Sequence, residues 1–167
     1  MLTRFLFAFI ALTLASSTRF IARKWNIGYF VGGLVYGIYN EICFEFCWTY
    51  SDQLKPMVWR DVPLVVVLGW SIYTALALSI SDLLVKKFEI KSLWIRKSFD
   101  VLLFVAIGSP IEVLMSFLGF WHYNMLIQGM MWMQIFGYCF VGVLVSCAGR
   151  SFQALLDRRV AGSHEKI

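Results

Sequence analysis

Val62–Ser81 reads VPLVVVLGWSIYTALALSIS, twenty positions with no Lys, Arg, Asp or Glu. A helix needs about 20 mostly apolar residues to cross the hydrocarbon of a bilayer. This stretch therefore sets the fold class as an all-α integral membrane protein. The whole chain agrees. Of its 167 residues 60% are hydrophobic and 15% charged, and the mean hydropathy is +0.72. A soluble domain is roughly 45–50% apolar and about 25% charged. Those values exclude a disordered chain, a soluble nucleic-acid binder and a disulfide-stapled secreted module. The length suits one compact bundle.

Working outward, no Lys, Arg, Asp or Glu occurs between Glu112 and Arg150. That interval is too long for one helix, so it holds the end of one span, a polar break at Trp121–Asn124 and a second span. The expected spans are about 5–21, 27–48, 62–83, 100–121 and 127–148, five in all, within a single domain. Loop charge orients them. Arg4, Lys55 and Arg60 fall on one side, and the other twelve Lys and Arg on the opposite side. Such bias marks the cytoplasmic face and predicts N-out, C-in. The first apolar run also fits a signal peptide, with a basic start and small residues at Ser16-Ser17. Cleavage would put Arg19, Arg23 and Lys24 outside, so an uncleaved helix is the reading the charges favour.

Lys86–Lys97 reads as a basic connector on the leaflet surface, and residues 150–167 as a cytoplasmic tail, helical at first. Both serve as topology anchors. Asp82 and Asp100 flank the connector and are expected to pair with Lys86, Lys87, Arg96 or Lys97. Gly32-Gly33 and Gly37 permit close helix packing.

Two stretches echo each other at an offset of 73. Trp48-Thr49-Tyr50 and Met57-Val58-Trp59 match Trp121-His122-Tyr123 and Met130-Met131-Trp132. Each follows an acid-bearing helix and precedes a Gly-aromatic pair, Gly69-Trp70 or Gly137-Tyr138. The second copy is about five residues shorter. The pattern predicts two helix–loop–helix units in the same orientation, with a site near their interface. The competing explanation is that Trp and Tyr collect at membrane interfaces in any case.

An ionisable group inside a bilayer is a functional candidate by default. Glu41, Glu45 and Glu112 fall in the outer halves of two outward-running spans and are the candidate catalytic residues. If the helix continues, Glu41 and Glu45 share a face, four residues apart. One acid held protonated beside an ionised one is the arrangement acid–base catalysis needs. Phe44, Phe46, Phe117 and Phe120 add aromatic faces, which steady cations. Asn40, Trp48, Tyr50, Trp121, His122 and Tyr123 are the candidate substrate-contacting residues. Asp52 and Asp61 read as loop acids.

Cys43, Cys47, Cys139 and Cys147 lack a matching Cys/His pair at zinc spacing, and the Met residues near the outer side lack a repeated copper-binding pattern. No metal site and no cofactor is expected. No phosphate-cradling loop, hydrolase elbow or zinc-protease helix occurs.

Glu41–Trp70, with an acid in a helix, an aromatic-x-Tyr, a Leu-x-Pro, a Val-Pro and an apolar run closing in Trp, resembles the carotenoid-biosynthesis membrane proteins that include the carotenoid hydratases. Asp100–Tyr123, with Ser109-Pro110, Glu112 and Gly119-Phe120-Trp121, resembles their later segment. The likeness covers about half the chain and extends to small membrane cyclases of isoprenoids, some of which work as paired subunits. It implies a cofactor-independent enzyme acting on a carotenoid or other isoprenoid lipid by proton-initiated hydration or cyclisation, in a bacterial-type inner membrane. The implied partners are the hydrophobic lipid and the membrane, with homo- or hetero-oligomers compatible and nucleic acid excluded. Two other classes fit the composition: a non-catalytic subunit of a larger membrane complex, and a small proton-coupled transporter.

Overall fold

The structure, a computed structural model, describes residues 12–21, 26–124 and 136–164, with side chains to residue 159. The described residues are mainly helical, with short strands at one end. Helix α1 covers residues 12–21. Helix α2 is Ile27–Cys43, α3 Leu64–Lys87, α4 Leu93–Phe117 and α5 Tyr138–His164. Among the described residues, α3, α4 and the stretch Tyr138–Arg159 of α5 are long and apolar enough to cross a membrane. At 17 residues α2 lies at the short end of that range.

The helices differ from the expected spans at their ends, for local reasons. α2 stops at Cys43, not Trp48. The following Trp48-Thr49-Tyr50 is aromatic and β-branched, a composition that suits a strand, and forms β1. The fourth helix begins at Leu93, not near Asp100, because nothing between Leu93 and Asp100 breaks a helix. Of the basic connector only residues 88–92 are non-helical. The presumed tail continues α5 as far as His164. Residues 5–11 and 127–135 of the expected first and last spans lie outside the described residues.

Two helix ends share one motif. After α4, Gly119 takes φ +74°, its N–H bonds to the Ser116 carbonyl and that of Phe120 to the Met115 carbonyl. After α3, Glu89 takes φ +50°, its N–H bonds to the Lys86 carbonyl and that of Ile90 to the Val85 carbonyl. Both are Schellman caps, where glycine is favoured because it has no Cβ to clash. The chain uses Glu at the second one.

α2 packs against both α3 and α5, and α4 against the same two helices. Glycines set the closeness. A Cβ on Gly32 would stand 2.5 Å from the Gly149 backbone of α5, and one on Gly37 2.6 Å from the Trp70 Cβ of α3. Tyr29, Tyr36, Ala75, Ala77, Leu78, Phe104 and Val145 form the core between the helices.

One end of the bundle carries β1 (Trp48–Tyr50), β2 (Met57–Trp59), β3 (Val62–Pro63) and β4 (Trp121–Tyr123). β2 and β3 form a hairpin after α2, and β1 pairs antiparallel with β4, which follows α4. In the second pair Trp48 faces Tyr123, Thr49 faces His122 and Tyr50 faces Trp121. Bonds from the Asn124 N–H to the Cys47 carbonyl (2.9 Å) and from the Ser51 N–H to the Phe120 carbonyl (2.8 Å) extend the ladder.

Candidate active site

Strand alternation decides what the β1–β4 pair offers. Trp48, Tyr50, Trp121 and Tyr123 share one face and are partly buried, while Thr49 and His122 are exposed on the other. Trp48 packs edge-on against Tyr123 with centroids 6.5 Å apart, and Tyr50 against Trp121 at 5.9 Å. The polar tips of Trp48, Tyr50 and Tyr123 reach two carboxylates.

Glu41, two residues before the end of α2, is 2% exposed. A buried carboxylate is costly unless it is hydrogen-bonded. Here Oε2 accepts from Tyr50 Oη (2.5 Å) and Trp48 Nε1 (3.2 Å), and Oε1 accepts from Trp70 Nε1 (2.8 Å). Burial, together with the Glu41 carboxylate, pushes the Tyr50 phenol well above the ordinary tyrosine range, so Tyr50 remains a donor.

Glu112, near the end of α4, has a matching pair of partners. Its Oε1 accepts from the Tyr123 hydroxyl and its Oε2 from the Tyr138 hydroxyl at 2.8 Å. The two carboxylates are linked through the ladder: Trp48, which donates to Glu41, packs against Tyr123, which donates to Glu112. The spacing between the two surroundings is regular. Glu41 and Glu112 are 71 positions apart, as are Gly37 and Gly108. Gly37 abuts Trp70 and Gly108 abuts Tyr138, and those two aromatics donate to Glu41 and Glu112 respectively. One bond has no counterpart: Trp48 Nε1 donates to Glu41, but Trp121 Nε1 is buried without a partner.

The structure brings together Glu41, Glu112, Trp48, Tyr50, Tyr123 and, through ring contact, Trp121. It separates the remaining candidates. Glu45 does not share a helix face with Glu41, because α2 has already ended. It sits in a short 3-10 turn, Glu45–Cys47, with Oε1 2.9 Å from Arg60 Nη1. Asn40 is buried, and its side-chain oxygen accepts from Tyr36 Oη at 3.2 Å. His122 is on the outer face of the ladder.

Sequence reading missed Trp70 and Tyr138 as carboxylate partners. The signal was the Gly-aromatic pair noted in each half. The cysteines are unpaired and Cys47 is buried, which raises its thiol pKa. Among the described residues no group of His, Cys, Asp or Glu could hold a metal.

At the opposite end lies a second polar cluster, with Asp100 buried and Arg150 and Asp82 partly exposed. Arg150 makes a two-point ion pair with Asp100, Nε to Oδ2 and Nη2 to Oδ1, both 2.6 Å. Its Nη1 also bonds to Asp82 Oδ1 at 3.0 Å and to Tyr29 Oη at 3.4 Å. Tyr29 donates to Asp82 (2.7 Å) and Ser81 to Asp100 (2.5 Å). The expected partners of these acids, Lys86, Lys87, Arg96 and Lys97, are displaced by one residue from α5. A planar guanidinium serves two carboxylates at fixed geometry, which flexible lysines do less well.

No protein-family model matches the chain, and neither a curated protein nor a solved structure is detectably similar to it.

Proposed function

We propose that the chain is a membrane-embedded enzyme acting on a carotenoid or other isoprenoid lipid by proton-initiated hydration or cyclisation. The observation that carries this reading is the pair Glu41 and Glu112: two carboxyl groups at one end of the bundle, each held by aromatic donors, with Trp48, Tyr50 and Tyr123 supplied by one pair of strands.

The two groups divide the work by what their partners can do. An indole N–H only donates, whereas a phenol hydroxyl donates or accepts. Glu41 has two indole partners, Trp48 and Trp70, and suits the ionised base. Glu112 has only phenols, Tyr123 and Tyr138, which can accept from a protonated carboxyl. In this reading Glu112 passes its proton to an alkene carbon and the neighbouring carbon becomes cationic. Aromatic faces steady that cation. For hydration, water adds to the cation and its proton goes to Glu41. For cyclisation, a second alkene closes on the cation and a carbon-bound proton goes to Glu41. Return of that proton to Glu112 resets the site.

The same reading takes the two halves of the bundle as copies of one helix–loop–helix unit, α2–α3 and α4–α5, that meet at the Thr49–His122 pair. The pairing of β1 with β4 and the equal separations of Glu41 from Glu112 and of Gly37 from Gly108 support it. It also takes five spans, N-out and C-in, in a bacterial inner membrane, supported by the loop-charge bias.

The test uses the full chain in membranes supplied with acyclic isoprenoids in deuterated water. Solvent deuterium should appear on a product carbon, and Glu112→Gln should abolish turnover while the protein still accumulates. Full activity of Glu112→Gln removes the assignment. Lipids that co-purify with the protein, read by mass spectrometry, identify the substrate class if one isoprenoid species is enriched.

A further inference from the structure

Away from the carboxylates, the Lys86 end of the bundle opens into a cleft of about 640 Å³. Its floor is Arg150 with Tyr29 and Asp82, and its rim carries Lys86, Lys91 and Arg96. The local fold explains why these cations converge. α3 and α4 are antiparallel neighbours joined by only five residues. The Schellman cap at Glu89 turns the chain sharply, so Lys86 in the last turn of α3, Lys91 in the connection and Arg96 in the first turns of α4 border one space.

The charges in that space are unequal in their commitments. Arg150 is held by Asp100 and Asp82. None of the ion pairs among the described residues involves Lys86, Lys91 or Arg96. All three are exposed. Counting the lining residues, four cations face two carboxylates, Asp82 and Glu89. Val85 and Ile90 add an apolar wall. Cationic rim, apolar wall and a position at the end of apolar helices fit a phosphate group carried by an amphiphile. Basic pockets between membrane helices bind anionic headgroups in this way.

We propose that this cleft is a binding site for an anionic phosphate group, with Lys86, Lys91 and Arg96 as its ligands. The site stands independently of the proposed chemistry at Glu41 and Glu112.

Native mass spectrometry of the full chain in detergent tests it, with phosphatidylglycerol and phosphatidylcholine offered separately, together with titration calorimetry against inorganic diphosphate. The expected result is retention of phosphatidylglycerol about tenfold over phosphatidylcholine. The exposed double variant Lys91→Gln/Arg96→Gln should lose about tenfold of that binding. The control Lys55→Gln, at the strand end, should lose none. If diphosphate binds and competes with phosphatidylglycerol, the phosphate group suffices and soluble phosphates are ligands. If only phosphatidylglycerol binds, the ligand is a membrane headgroup held with its chains. Equal retention of the two lipids without diphosphate binding overturns the site, as does unchanged binding in the double variant or an equal loss in Lys55→Gln.

Discussion

Arg150 and Asp100, fifty residues apart, meet through two 2.6 Å bonds inside the bundle, with the Asp100 side chain 2% exposed. The pair joins α4 to α5, and the Arg150 bond to Asp82 ties in α3. Removing Arg150 leaves the Asp100 charge buried without a counter-ion, which costs about 3–5 kcal/mol, and removing Asp100 leaves Arg150 with the partly exposed Asp82 as its one ion pair among the described residues. Replacing both by apolar residues of similar size avoids that penalty. Asp100→Leu and Arg150→Met should each lower the midpoint of detergent-induced unfolding strongly, and the double variant should recover much of the loss. A double variant whose loss equals the sum of the single losses contradicts a coupled pair.

Gly37 sets the position of Trp70. A Cβ at residue 37 would lie 2.6 Å from Trp70 Cβ and 2.9 Å from its Cγ, so the indole must move. Overpacking of this kind costs about 1–3 kcal/mol. Gly37→Val should lower stability by that amount and alter the emission of Trp70, whose Nε1 would leave Glu41. The control is Gly37→Val in a Trp70→Phe background. An emission change that persists there cannot come from Trp70.

Glu89 occupies a left-handed cap position that its counterpart after α4 fills with Gly119. A non-glycine residue there costs about 1 kcal/mol. Glu89→Gly should therefore stabilise the protein by about that amount. A fall in the unfolding midpoint would show that the Glu89 side chain contributes more than its backbone costs.

Tyr50 gives a pH dependence of definite sign. Its phenol pKa is raised in the folded protein, first by burial and then by Glu41. The folded state holds that proton more tightly than the unfolded state, whose phenol titrates near 10. The associated stability is present in full below about pH 10 and is lost as pH rises towards the folded value. The stability difference between the parent and Tyr50→Phe should shrink above about pH 10. A constant difference from pH 7 to 11 contradicts it.

Much of the molecule is legible in residue order, because burial in lipid and helical periodicity are local properties. The apolar runs locate α3 and place the ends of α2 and α4 within about two turns, while α5 runs sixteen residues past the expected end of its span. Absence of charge between Glu112 and Arg150, and the break at Trp121–Asn124, place the strand end. Glu41 and Glu112 stand out as acids in apolar surroundings, and the Trp-x-Tyr echo marks the strands that serve them. Glu45 shows the limit of this reasoning. Helical spacing puts it beside Glu41 only while the helix lasts, and strand-forming Trp48-Thr49-Tyr50 ends that helix early by pairing with a segment 73 residues away.

Residue order alone establishes the apolar, mainly helical class and the acids set within it. Each follows from composition or short-range period. Which groups meet is settled by packing. The choices of Trp70 for Glu41, Tyr138 for Glu112, and Arg150 rather than a nearby lysine for Asp100 depend on helix packing. Glycine-sized gaps and strand register bring together side chains that no local pattern relates.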